Sequence, residues 1–469
     1  MTGPGRGHET RQLVDHLFRN RAGQLVAWLT RVFGPAHLQL AEEVVQDALV
    51  KALQQWPYSG IPDNPAGWLL RVARNGALDA LRRDVSFRGR AGAIAAEIAR
   101  TADALAGDPV ALDGLLRDDE LRMIFLCCHP SLPQEARVAL SLKTVGGFSV
   151  AEIARALLGS DTAIAQRLVR AKRQLRDTGA TFELPGGAQL ESRLESVLEV
   201  IYLLFNEGYS AHAGDDLVRL DLCGEALRLA RLVAGSATTS APAAHALTAL
   251  IAFQTARIPA RVDGAGDMVL LEQQDRALWD PHLIALGFAH FERSAAGPVV
   301  TAYHIQAAIA AVHAGGHTVT AWAHVLGLYD DLLALNPSPV VALNRAVALS
   351  KVAGPARALA EIAALEGDPA LANYFLLPAV KGRLLAEMGD RRRAAAAFRA
   401  ALERACSEPE RRWLVRRLAE VETAEITEIT EITESTEITE STEITEITEI
   451  TEITEITEST KRLTPGERE

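Results

Sequence analysis

The sequence predicts an all-α protein built of several small helical domains. Alanine and leucine dominate and β-branched runs are scarce, a composition that favours helix over strand. Apolar residues recur at i, i+3, i+4 and i+7 in segment after segment, the period of one helix face. A length of 469 residues with 48% hydrophobic content supplies buried cores for about three domains of ~150 residues each.

Several function classes drop out early. No apolar run approaches the ~20 residues that span a bilayer, and MTGPGRGHETRQ lacks the apolar centre of a signal peptide. The expectation is a soluble cytoplasmic protein with no membrane contact. There is no nucleophile elbow, P-loop, dinucleotide fingerprint or HExxH, so neither an enzyme nor a bound cofactor is expected. Cys127, Cys128 and His129 are adjacent, which suits independent metal ligands poorly. They read as buried small hydrophobes, as do Cys223 and Cys406, and no metal site is expected, His304, His313, His317 and His324 included.

The net charge of −12 argues against nucleic acid until it is placed along the chain. Between Glu425 and Glu458 lie twelve glutamates and no basic residue. Without them acidic and basic residues balance at 48 each, and arginines concentrate on two predicted helices.

The first of these belongs to a domain expected over 11–90. Leu40 to Trp56 has apolar residues at Leu40, Val44, Ala48 and at Val45, Leu49, Ala52, Trp56. Glu42, Glu43, Gln46 and Asp47 form the opposite face, an acidic docking edge or simply a solvated one. Pro57 is expected to end this helix, with loop from Tyr58 to Asn64. Asn64 and Pro65 suit the N-cap and first position of the next helix. That helix places Arg71, Arg74, Asn75, Asp79 and Arg82 at i, i+3, i+4, i+8 and i+11. Arginines contact phosphate, Asn can bond a base edge, and Trp68 offers a ring for stacking or packing.

The second basic helix lies in a domain expected over 118–180. Ser149 and Glu152 form an S-x-x-E capping box, followed by an apolar face of Val150, Ile153, Ala154 and Leu157. Leu158 to Asp161 supplies a turn with glycine, and a second helix starts near Thr162 with Ile164, Leu168, Ala171 and Leu175 inward. Ala163, Gln166, Arg167, Arg170 and Arg173 are left outward, as in the recognition helix of a helix-turn-helix. An amphipathic hairpin with a solvated basic face is the plain alternative.

Together, AEEVVQDALVKALQQW with NPAGWLLRVARNGALDALRRD resembles region 2 of a bacterial RNA polymerase sigma factor, and Phe148 to Arg176 resembles its region 4. The absence of full regions 1 and 3 marks the extracytoplasmic-function (ECF) type. IYLLFNEGYSA, RLDLCGEALRLARLVA, RIPARVDGAG and LLEQQDRALWD resemble the ECF subgroup with a long helical C-terminal extension. The likeness covers roughly residues 11–420. It implies that Glu42, Glu43, Gln46 and Asp47 dock on the β′ clamp helices of core polymerase. Ser59 to Asn64 would capture a flipped base of the −10 element, beside Trp68, Arg71, Arg74, Asn75, Asp79, Arg82 and Arg83. Thr162, Ala163, Gln166, Arg167, Arg170, Lys172 and Arg173 would read or hold the −35 element.

The remaining segments are spacers and an extension. Residues 91–117 are expected to form a flexible acidic linker. Together with flanking acids it carries Asp103, Asp108, Asp113, Asp118 and Asp119, either a nucleic-acid mimic or a simple spacer. Residues 185–420 run helix after helix, with Gly382, Gly389, Ala394, Phe398 and Ala401 at tetratricopeptide-like (TPR-like) spacings. Ala358 and Ile362 echo Ala394 and Phe398 about 36 residues earlier, and a generic helical domain is the alternative. The resemblance implies regulation in cis by this extension, with room for an unidentified effector. Residues 421–469 are Ile-Thr-Glu triplets whose period of 3 fits neither helix nor strand, so an unpacked tail is expected. A helix-turn-helix repressor or activator with a helical sensor domain is the competing function, and a TPR-type scaffold a third.

Overall fold

The computed structural model describes residues 21–83, 89, 91–105, 109–157, 159–209, 218–264, 266–315, 319–405 and 407–424. The Ile-Thr-Glu tail and Cys406 lie outside the described residues. Among those described there is no strand, and β pairing is limited to isolated bridges such as Val262 with Met268. The all-α expectation holds. Chain contacts divide the molecule into two units, residues 1–321 and 322–469.

The first unit opens with α1 (residues 21–33), whose Leu25, Trp28, Leu29 and Phe33 are buried. Gly34, at φ 90°, breaks it, a conformation open to glycine at little cost. Helix α2 spans Leu38–Ser59 and buries Val44, Val45, Ala48, Leu49, Ala52 and Trp56. Pro57 does not end it. A proline lacks only its own N–H, a small loss in a final turn, and the helix stops at Gly60 with φ 80°. Helix α3 (Pro65–Arg83) begins where Asn64 and Pro65 predict, and Asn64 Oδ1 accepts from Gly67 N at 2.8 Å.

The segment expected as a flexible linker is helical. Helix α4 spans Ala91–Leu105 and α5 spans Pro109–Cys127. Two acidic side chains of α5 pair with α1: Asp113 with Arg21 at 2.7 Å and Asp119 with Arg31 at 3.0 Å, while Asp118 is exposed. Asp119 also pairs with Arg122 at 2.9 Å. Ion pairing to α1, which the sequence pattern did not reveal, turns this stretch from spacer into scaffold. The side chains of Asp103 and Asp108 lie outside the described residues.

Helices α6 (Gln134–Thr144), α7 (Val150–Ala156) and α8 (Asp161–Asp177) follow. Ser149 caps α7, its side chain accepting from Glu152 N while the Glu152 carboxylate accepts from Ser149 N. The buried residues of α8 are Ile164, Leu168, Ala171 and Leu175, the four that its periodicity selects. Cys127 and Cys128 are fully buried. Cys127 Sγ lies 2.9 Å from Thr144 Oγ1, and burial pushes both thiols well above their ordinary range. They are core residues.

The extension begins with α9 (Ala188–Tyr209), α10 (Leu220–Gly235), α11 (Pro242–Ala256), α12 (Pro281–Ser294) and α13 (Ala302–Gly315). Helix α9 packs against α5 and α6 as well as α10. Arg193 donates to the carbonyl of Phe125, and Gln134 donates to Glu199 at 2.8 Å. One continuous buried cluster runs from Ala22 to Ala311, so this part of the extension shares a core with the preceding helices. Inside it His245 and His290 face each other, Nδ1 to Nδ1 at 2.9 Å.

The second unit carries most of α14 (Val319–Leu335), then α15 (Pro339–Ala353), α16 (Pro355–Leu365), α17 (Leu376–Glu387), α18 (Arg391–Leu402) and α19 (residues 408–424). Successive helices pair, α15 with α16 and α17 with α18. A Cβ on Gly382 would lie 2.9 Å from the Phe398 ring, so glycine lets α17 and α18 approach closely. Ala358 and Ile362 are fully buried in the preceding pair.

Candidate nucleic-acid and polymerase interface

Helix α8 presents one open face with two fastened edges. Thr162, Ala163, Gln166, Arg170 and Arg173 are exposed, and Arg170 donates to Gln166 at 3.2 Å within that face. On one edge Arg167 pairs with Glu135 of α6 at 2.7 Å, and Gln174 donates to the carbonyl of Ser131. On the other edge Lys172 pairs with Glu42 of α2 and donates to Gln39 at 2.7 Å. Arg167 and Lys172, placed on the DNA side by sequence, are therefore engaged by acidic neighbours, Lys172 largely buried and Arg167 still partly exposed. Their long stems can reach laterally from a helix edge to an acidic neighbour, which a helical wheel does not show.

Val169 lies mid-face and is 65% exposed, an apolar residue ringed by polar ones. The sequence reading passed over it, although its seven-residue offset from Thr162 was the available signal.

Helix α3 carries the same chemistry. Arg71, Asn75, Asp79 and Arg82 are exposed along one line, and Arg82 pairs with Asp79 at 3.0 Å. Arg74 is half-buried. Trp68 is also half-buried, and its ring meets Trp56 edge-on with centroids 5.5 Å apart, which favours its packing role. The side chain of Arg83 lies outside the described residues. Because α2 runs on past Pro57, Tyr58 sits on its last turn with 93% of its surface exposed. The sequence reading missed this exposed ring by assuming that Pro57 ended the helix.

On α2, Glu43, Gln46 and Asp47 are exposed but Glu42 is buried. Glu42 therefore departs from the expected solvent face, because Lys172 draws it into an ion pair. A cleft of about 310 Å³ lies between Gln39, Glu42 and Asp47 on one side and Lys143, Thr144 and Gly147 on the other.

Two arginine-bearing helix faces, one following an acidic helix and one closing a capped helix-turn-helix, coincide with two family matches. Residues 17–86 match sigma-70 region 2 and residues 122–175 match sigma-70 region 4. The chain is 33% identical over 169 residues to an ECF RNA polymerase sigma factor, SigL, of Mycobacterium tuberculosis (strain H37Rv), covering 88% of that protein and 35% of this one.

The chain belongs to the ECF sigma factors.

As a sigma factor it binds core RNA polymerase and promoter DNA and directs transcription initiation. Sigma factor families are not enzymes. Residues 193–295 match a family of unknown function (DUF6596), so α9 to α12 of this sigma factor are an extension beyond its two sigma regions. An uncharacterized protein of Rhizobium meliloti (strain 1021) is 40% identical over 402 residues, 85% of this chain and 93% of its own length. That relative shares the extension as well as the sigma regions. No solved structure matches the chain. No described helix is long and apolar enough to cross a membrane.

Proposed function

We propose that this sigma factor reads a −10 element with α3 and a −35 element with α8, docks core polymerase through α2, and is regulated in cis by its extension. The observation that carries the reading is the pair of exposed faces, Arg71, Asn75, Asp79 and Arg82 on α3 and Gln166, Arg170 and Arg173 on α8. Asn or Gln can bond an adenine edge in two places, and Arg can do the same for guanine. Thr162 and Ala163 open the recognition helix, where side chains reach base edges first.

At the −10 element the chemistry differs, because opened strands expose unpaired bases. Tyr58 offers a ring for a flipped base at the mouth of residues 60–64, and Arg71 and Arg82 supply charge for the backbone. Arg74, Trp68 and Arg83 complete that helix as support or contact. Glu43, Gln46 and Asp47, with Glu42 once released, suit the β′ clamp helices. Such work places the protein in the cytoplasm, where polymerase is. Cis-regulation is supported by the shared core of the extension and both sigma regions.

Run-off transcription with purified core polymerase tests the assignment. Initiation from a −10/−35 promoter, lost when either element is scrambled, is the expected result. Tight binding to duplex DNA without polymerase, and no initiation with it, would instead favour a helix-turn-helix repressor or activator.

A further inference from the structure

The open face of α8 is polar around an apolar centre. Val169 is the middle residue of this helix, whose 17 residues run from Asp161 to Asp177, and it is 65% exposed. A lone apolar side chain on a surface is ordinary. The position of this one gives it meaning. Gln166 precedes it by three residues and Arg173 follows it by four, so both are its neighbours one turn away. Arg170, next in the chain, donates to Gln166 at 3.2 Å. The polar side chains of the proposed −35 readout thus surround Val169, and the surface they meet is the surface it meets.

Valine is a poor choice here on local grounds. Its branched Cβ lowers helix propensity relative to Ala, Gln or Arg, the types found at positions 163, 166, 170 and 173 of the same face. The same branching holds the side chain near one rotamer in a helix. Its two methyl groups therefore point in a fixed direction, and little rotamer freedom is lost when they make contact.

The major groove offers one apolar substituent, the C5 methyl of thymine, among donors and acceptors. A donor or acceptor covered by valine would be left unpaired, which is unfavourable, whereas the methyl gains by being covered. The helix also fixes where that methyl lies. At ~1.5 Å per residue Val169 is about 4.5 Å beyond Gln166 and about 6 Å short of Arg173 along the axis. Base pairs are stacked ~3.4 Å apart, so its partner is about one step on from the base that Gln166 meets.

We propose that Val169 is a specificity-determining residue of the −35 readout, packing on the C5 methyl of a thymine about one base-pair step from the base met by Gln166. This rests on the assignment of α8 to the −35 element and adds a stated base to it.

Deoxyuridine tests the contact, because it differs from thymidine by that methyl alone. Holoenzyme formed from the full chain and core polymerase first selects its preferred duplexes from a pool randomised across the −35 element. Each thymine of the selected element is then replaced by deoxyuridine in turn, and affinity is measured by competition. At one position the replacement should weaken wild-type binding about fourfold, the equivalent of ~0.8 kcal/mol for one buried methyl. Val169→Ala should bind the thymine and deoxyuridine duplexes alike at that position. Arg170→Ala should bind both more weakly and keep their ratio.

A ratio that survives in Val169→Ala overturns the proposal and passes the methyl contact to Thr162 or Ala163. A selected element without thymine overturns it too, as does indifference to deoxyuridine at every position. In each of these cases weaker −35 binding by Arg170→Ala leaves α8 as the reader. A pool that yields no −35 preference removes that assignment, and this proposal with it.

Discussion

Helices α3 and α8 carry the same residue types and live in different surroundings. On α3 the arginines at 71 and 82 are exposed along one line beside Asn75. On α8 two of the basic residues are tied to neighbours, Arg167 to Glu135 and Lys172 to Glu42. The open face of α8 is therefore narrower than its charge suggests, and its edges serve as fasteners to α6 and α2. Counting cations on a helix overestimates its nucleic-acid face whenever acids on neighbouring elements lie within reach.

The strongest test of this contrast compares two adjacent residues of α8. Leu168 is 4% exposed and Val169 is 65% exposed. Leu168→Ala should destabilise the region 4 domain by ~2–5 kcal/mol through lost burial and a cavity. Val169→Ala should change stability by less than about 0.5 kcal/mol. Hydrogen exchange across α8 reads both. Equal effects would show that the face is not disposed as described.

Acid should separate the two helices next. Region 4 rests on the extension, and the extension holds the His245 and His290 pair. Burial, then His245, Arg293 and Arg231, pushes His290 down to about 4, and burial lowers His245 as well. Both rings are favoured neutral, since their Nδ1 contact needs one acceptor. The stabilisation is complete above about 6.5 and is lost as pH falls from there through about 4, at most roughly 3 kcal/mol for His290. Exchange should quicken in α11 and α12 over that window while α3 stays protected. Loss of α3 protection at the same pH would contradict the separation.

Promoter contacts should show a smaller but sharper difference. Arg170→Ala should weaken −35 recognition by ~1–3 kcal/mol if it makes a bidentate base contact. Arg167→Ala should cost less than about 1 kcal/mol, the usual worth of an accessible ion pair. Asn75→Ala should leave the −35 element alone and change selectivity at −10. Holoenzyme binding to promoters mutated in one element at a time distinguishes these, and matching losses for Arg167→Ala and Arg170→Ala would restore Arg167 to the DNA face.

The N-caps give the next effect. Asn64→Ala at α3 and Ser149→Ala at α7 should each cost ~1 kcal/mol of local stability, readable as faster exchange in the first turn. Smallest of all is removal of residues 425–469. That cut keeps the Arg399 pair with Glu422 at its end, and run-off activity should not change. A marked change would show that the acidic tail has a partner.

Sequence alone determined the strongly periodic helices of the two sigma regions and most of their buried faces, because periodicity, caps and turn glycines are local. The capping box at Ser149 and the inward set Ile164, Leu168, Ala171 and Leu175 were legible on those grounds. So was the start of α3 at Pro65, and the motif spacing carried the family. What only the tertiary structure decided was the use made of polar side chains. Pro57 sits within α2 because a final turn tolerates it. Residues 91–105 are helical, and Asp113 and Asp119 are held by arginines some 90 residues away in sequence. Glu42, Glu120, Arg167 and Lys172 are engaged internally, because an ion pair depends on which helices pack side by side. That neighbourhood is set by the shared core, and no periodicity along one strand of sequence records it.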